Sequence, residues 1–228
     1  MLKKTLLVLL VGIGAFGVYA GSRPGAYRVE RSTTIDAPAA VVFEQLDNFK
    51  VWAAWSPWEK LDPAMKRTFS GPERGVGAIY EWEGNDEVGK GRMTIVESDA
   101  PTRLKCRLEF MQPFEAQADT QFDLSGEGDG TPVSVTWSMS GENNFVAKVF
   151  GVFMDMEAMI EQDYDKGLAA LKGLAEAESA KRKQEAARLA ETNRLAETAT
   201  NSKTAGAVEA GTATPEGIAA KQQATAAK

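Results

Sequence analysis

The chain has 228 residues, 43% hydrophobic and 25% charged, with a net charge of −6; it holds no histidine and a single cysteine, Cys106. Those absences exclude Ser-His-Asp and Cys-His catalysis, His-ligated metals, internal disulfides and Cys-rich zinc sites. The negative balance argues against nucleic acid as a partner, and no metal or cofactor is expected.

Charge divides the chain into three parts. Residues 1–26 carry bases only, net +3; residues 27–175 hold 25 acids against 15 bases; residues 176–228 are nearly neutral, net +1. In the first part, Lys3-Lys4 precedes an uncharged run over 5–22. As a helix that run spans about 27 Å, close to the thickness of a bilayer core. Residues 1–23 therefore read as a signal anchor or transmembrane segment. The alternative is a signal peptide cleaved after Ala20, with Val18 and Ala20 at the −3 and −1 positions. The length favours the anchor. Both readings place the bulk of the chain on the extracytoplasmic, periplasmic side, with Lys3 and Lys4 left in the cytoplasm; cleavage would make the protein secreted.

The middle reads as a β-rich domain. Val29 to Ile35 is a strand by composition. Asp36-Ala37-Pro38 is predicted to open a short helix capped by Asp36, with Val41, Val42, Phe43 and Leu46 as its apolar side. An aromatic segment with Trp52, Trp55 and Trp58 follows. Then come strands of period two, with apolar residues on one face and charged or hydroxyl residues on the other. Val76, Ala78, Tyr80 and Trp82 share one face; so do Met93 and Ile95; so do Leu104, Cys106, Leu108 and Phe110. Two further strands place Ala116, Ala118, Thr120, Phe122 and Leu124, then Val133, Val135, Trp137 and Met139, on the same side. Linkers such as GNDEVGKG and GEGDGTP suit hairpins. One long helix is predicted from an Asn144 cap to about Ala175, with Phe150, Phe153, Ile160, Tyr164, Leu168 and Leu171 on one stripe.

Residues 176–228 contain 16 alanines and no aromatic residue. They are too poor in apolar surface to build a core. A helical extension to about Ala199 and disorder from Thr200 are predicted.

The order of strand, two short helices, five or six strands and a long helix resembles the SRPBCC superfamily. This is the START-like, Bet v 1-like helix-grip fold, which includes polyketide cyclase/dehydrase-type proteins. The residues carrying the resemblance are VERSTTIDAPAAVVFEQLDNFKVWAAWSPWEKLDPAM (29–65), GAIYEW (77–82), GRMTIVE (91–97) and FMDMEAMIEQDYDKGLAALKGL (153–174). It implies an α+β domain over 27–175, in which a curved antiparallel sheet of about six or seven strands wraps a long C-terminal helix. It also implies an apolar cavity between sheet and helix, but no particular reaction.

The expected cavity lining comprises Trp52 and Trp55 from the aromatic segment and Tyr80, Trp82, Met93, Ile95, Leu108, Phe110, Phe122, Trp137 and Met139 from the strands. The helix adds Phe153, Glu157, Ile160 and Tyr164. The same residues would equally make a solid core. The tryptophans read either as a plug at one end of the sheet or as a ligand gate or membrane-facing edge. Cys106 reads as a small buried hydrophobe. Glu157 falls on the apolar stripe, so it reads either as a structural partner for an Arg or Tyr or as a ligand-orienting or acid/base group, the one catalytic candidate.

The leading functional expectation is a membrane-tethered domain that binds a hydrophobic small molecule or lipid without chemistry. A polyketide cyclase or dehydratase, a lyase or isomerase without metal, is the alternative. A cell-envelope interaction module without ligand is the third reading.

Overall fold

The computed structural model describes residues 2–126 and 132–211 of the chain, with side chains placed for 4–126 and 132–199. The chain divides into two compact units, 1–179 and 180–228.

The first unit opens with α1 (Leu2–Ser22). Seven strands follow: β1 (Ala26–Ile35), β2 (Lys66–Ser70), β3 (Ile79–Glu83), β4 (Lys90–Asp99), β5 (Arg103–Gln112), β6 (Ala116–Ser125) and β7 (Val133–Glu142). They form one antiparallel sheet in the order β1-β7-β6-β5-β4-β3-β2. Between β1 and β2 lie α2 (Ala39–Phe43) and two 3-10 turns, Phe49–Ala54 and Pro57–Lys60. After β7 come α3 (Phe145–Phe150) and α4 (Met156–Gly211). This is the α+β helix-grip arrangement, a curved sheet with a long C-terminal helix and short helices after the first strand.

Burial follows the period-two pattern. The inward residues of β5, β6 and β7 include Leu104, Cys106, Phe122, Val135 and Trp137, all at 1% exposure or less. Along the stripe of α4, Tyr164, Leu168 and Leu171 are buried in the same core. Arg31 of β1 is bonded to Glu161 of α4 and lies 3.4 Å from Asp165, an ionic tie between strand and helix.

Four local expectations are corrected. The helix after β1 begins at Ala39, because the Pro38 carbonyl accepts from the Val41 and Val42 N–H groups; Asp36 donates its own N–H to Glu176 and does not cap. Val76 lies outside β3 and is exposed. Strand β2 was not foreseen, because KRTFS offers a single large apolar residue, Phe69, and that side chain is 40% exposed. The long helix is interrupted. Asn144 caps α3 through the Ala147 N–H, α3 ends at Gly151, and Asp155 accepts from the Ala158 N–H to start α4 afresh.

The α4 backbone continues to Gly211, past the Thr200 at which composition turns towards Gly and Thr. Its side chains over 180–199 are exposed. The centre of the GEGDGTP linker, 127–131, and the tail from 212 onward lie outside the described residues.

Candidate ligand-binding site

The expected lining residues fall into three groups. At one end of the inner face the core is closed. Trp52, Trp55, Ile95, Phe122, Trp137 and Tyr164 are buried to 2% exposure or less. Their rings interlock: Trp137 stacks on Tyr164 with centroids 3.8 Å apart and on Phe122 at 4.9 Å, and it meets Trp55 edge-on at 5.5 Å. Trp52 packs on Trp55 at 4.8 Å. The three clustered tryptophans thus do not form an exposed edge. Trp52 and Trp55 are buried, and Trp58 packs on Trp137 and Tyr164.

A buried indole N–H needs an acceptor, and each has one. Trp52 donates to the Leu46 carbonyl, Trp55 to the Gln45 carbonyl and Trp137 to Thr120 Oγ1 at 2.8 Å. Thr120 in turn donates to the Ser138 carbonyl, which leaves Tyr164 as the donor across the 3.3 Å to Thr120. Thr120 is therefore the polar hub of this end. The alternation placed it on the inner face, but a threonine among apolar residues gave no sign of that role.

At the other, more open end the same face is slightly less completely buried. Tyr80, Trp82, Met93, Leu108 and Met139 keep 6–9% exposure, and Phe110 at the rim is half-buried, edge-on to Trp82. The strands there carry small residues, Gly91, Ala118 and Gly141; the rings of Trp82 and Tyr27 lie over the two glycines. Ile160 on α4 is half-buried beside this group.

Phe153 and Glu157 are not brought to the inner face. Phe153 is 74% exposed and Glu157 is exposed in the first turn of α4. The physical reason for Phe153 is the break at 151–155. An angular spacing of 100° per residue does not carry across it, and the first turn of α4 lies beyond the part of the stripe that meets buried sheet residues. Burial, with the negative charge of Glu157 nearby as the lesser cause, raises the Tyr27 hydroxyl above its usual value. The acid that pairs with an arginine is Glu161, one turn later.

A part-buried ionic cluster lies beside this face, without a sequence signal. Glu59, with its side chain 7% exposed, accepts from Arg67 Nε and from the Tyr80 hydroxyl, both at 2.6 Å. It ties the Pro57–Lys60 turn to β2 and β3. Glu59 and Arg67 sit in segments with no periodic pattern, so nothing in the sequence pointed to them.

Burial, helped by Glu59 as acceptor and negative neighbour, pushes the Tyr80 hydroxyl up from about 10.0; burial does the same to Tyr164, and lifts the Cys106 thiol above 9.0. All three groups titrate higher folded than unfolded. Their contribution to stability is intact below about pH 9 and is lost as pH rises beyond it. The melting temperature is expected to fall steadily above pH 9–10. Cys106 is expected to resist thiol reagents until the protein unfolds. A melting temperature flat to pH 11, or rapid labelling of the native thiol, would contradict this.

Apart from the inner face, a cleft of about 130 Å³ opens at the β2–β3 edge, lined by Phe49, Lys50, Phe69, Gly71, Glu73 and Ala78. Ligand pockets for drug-sized molecules run to roughly 300–1,000 Å³, so this cleft suits only a small fragment. Among the described residues no cluster of three His, Cys, Asp or Glu side chains is placed to hold a metal ion.

The pattern of the family described as polyketide cyclase / dehydrase and lipid transport matches residues 26–176, the whole of this sheet-and-helix domain. The chain belongs to that family. No curated protein matches it. This family member is also similar to solved structures. A protein from Nitrosospira multiformis is 21% identical over 64% of this chain and 94% of its own, with a TM-score of 0.47. One from Chromobacterium violaceum is 16% identical over 68% and 99%, at 0.46, and one from Rhizobium leguminosarum is 14% identical over 68% and 97%, at 0.48.

Proposed function

We propose that this polyketide cyclase/dehydrase and lipid-transport family member is a membrane-tethered, non-catalytic binder of a hydrophobic small molecule or lipid. The ligand would be taken at the open end of the inner face. The observation that carries the reading is the gradient along that face: 2% exposure or less at the Trp55–Phe122–Trp137 end against 6–9% at the Trp82–Met93–Leu108–Met139 end. Met93 and Met139 have flexible, polarizable side chains that re-pack around a guest at low cost. Small residues on the same strands limit the bulk that must move.

Binding without chemistry is favoured over a cyclase or dehydratase. A proton shuttle needs polar groups free to face the ligand. Here Tyr80 is engaged with Glu59, Tyr164 with Thr120, and Glu157 is exposed.

Tethering is supported by α1. Lys4–Ser22 is long and apolar enough to cross a membrane, and Leu6 to Val11 expose their side chains. Its C-terminal half is knitted to the domain: Ala20 is fully buried, and Phe16 packs on Phe153. That favours a retained anchor over a cleaved peptide.

The test is native mass spectrometry of the full chain released from detergent. A retained, lipid-sized apolar adduct is expected on the native protein and absent after denaturation. A bare polypeptide mass, unchanged after incubation with a fatty-acid and phospholipid panel, would contradict the reading.

A further inference from the structure

One apolar surface is left over by the proposed binding site. Phe145 and Phe150 of α3, Phe153 and Met154 of the following loop, and Phe114 of the β5–β6 turn are 46–74% exposed. Phe114 and Phe150 meet at 5.8 Å, so the turn and α3 form one continuous patch. A contiguous exposed apolar surface of this kind marks an interaction site.

The position of α1 identifies what covers it. Phe16 of α1 contacts Phe153 at 5.7 Å, Gly21 abuts Phe145, and Lys148 Nζ reaches the Gly21 carbonyl at 3.5 Å. Phe16 lies six residues before the end of α1 at Ser22. At about 1.5 Å per residue that is roughly 9 Å along the helix axis. If α1 crosses a bilayer and ends at its surface, Phe153 lies about as deep as the apolar face of an interfacial helix, which enters by roughly 5–10 Å.

We propose that Phe114, Phe145, Phe150, Phe153 and Met154 form a lipid-facing lip that dips into the bilayer crossed by α1. The lip holds the open end of the domain against the lipid surface. The attraction is hydrophobic: the two nearby cations, Arg23 and Lys148, are committed to backbone carbonyls, and Asp155 and Glu157 follow the patch in sequence. Binding is therefore expected on zwitterionic lipid, without anionic headgroups. This inference rests on the reading of α1 as a membrane-spanning helix, and the experiment separates the two.

Cys106 is fully buried, so an added surface cysteine can be labelled selectively. Full-length protein carrying Leu10→Cys, Phe145→Cys, Phe153→Cys or Glu73→Cys is labelled with an environment-sensitive fluorophore and placed in phosphatidylcholine vesicles containing brominated lipid. Glu73 is exposed between β2 and β3, beyond the ends of those strands farthest from the β5–β6 turn. Quenching several-fold stronger at 10, 145 and 153 than at 73 is the expected result. Quenching at 10 alone, with 145 and 153 no different from 73, overturns the lip and leaves the tether standing. No quenching at 10 overturns both.

Discussion

Trp137→Ala is expected to lower the unfolding free energy by about 3–5 kcal/mol, the range for deleting a large aromatic from a packed core. The indole is 1% exposed and lies against Tyr164, Phe122, Trp55 and Trp58. Its removal takes apolar area from four rings at once and leaves a void that rigid aromatic neighbours are poorly able to close. It also deprives Thr120 of the N–H it accepts. The size of the loss, read from denaturant unfolding of the full chain by circular dichroism, reports on the closed end of the inner face. A loss below about 1 kcal/mol would mean that the indole already borders empty space, and the closed and open ends would have to be reassigned.

Two glycines of α4 are expected to respond to alanine with opposite signs. Alanine is intrinsically better than glycine in a helix by about 0.8–1.0 kcal/mol. At Gly173 nothing lies within 4 Å of an added Cβ, so Gly173→Ala should stabilise by close to that amount. At Gly167 the added Cβ would lie 2.7 Å from Trp137 Cζ3 and 3.1 Å from Pro57 Cδ. The indole cannot swing away, because it is stacked on Tyr164 and bonded to Thr120. Overpacking of a tight core costs about 1–3 kcal/mol, which outweighs the helix preference. Gly167→Ala is expected to destabilise, and Gly167→Val more so. Equal stabilisation by alanine at both positions would show that α4 does not press on Trp137 as described.

Much of the fold was legible because period two is a strong signal. In β4 to β7 the inward apolar residues alternate mostly with polar ones, and the sheet reproduces that phase down to Cys106 and Thr120. Strand β2 was invisible because an edge strand with little buried surface has no alternation to read. The break between α3 and α4 was missed although both caps are in the sequence. Asn144 was recognised, whereas Asp155 lies inside an apolar stretch that keeps a helical rhythm. That omission moved Phe153 from an expected cavity wall to the surface, whereas Glu157 keeps the phase of Tyr164 on α4 but lies in the exposed first turn. The Glu59–Arg67–Tyr80 cluster depends on contacts between segments 8 and 21 residues apart, which no local pattern encodes. The strand residues expected as lining do point to the inner face. Whether they fill the space or leave a gap depends on ring orientations, such as Trp82 over Gly91, that only packing decides.

The central claim is that a hydrophobic ligand enters the open end of the inner face, and the methionines report on it directly. Met93 and Met139 lie in that end, Met65 is buried in the same core on the short segment before β2, and Met111, Met154, Met156 and Met159 are exposed. Methyl spectra of the full chain, 13C-labelled at methionine and held in phosphatidylcholine nanodiscs, would be recorded during titration with oleate. The account predicts saturable shifts of the Met93 and Met139 methyls that exceed any shift of the exposed methionines. Shifts confined to the exposed methionines, or no shift at all, would contradict it.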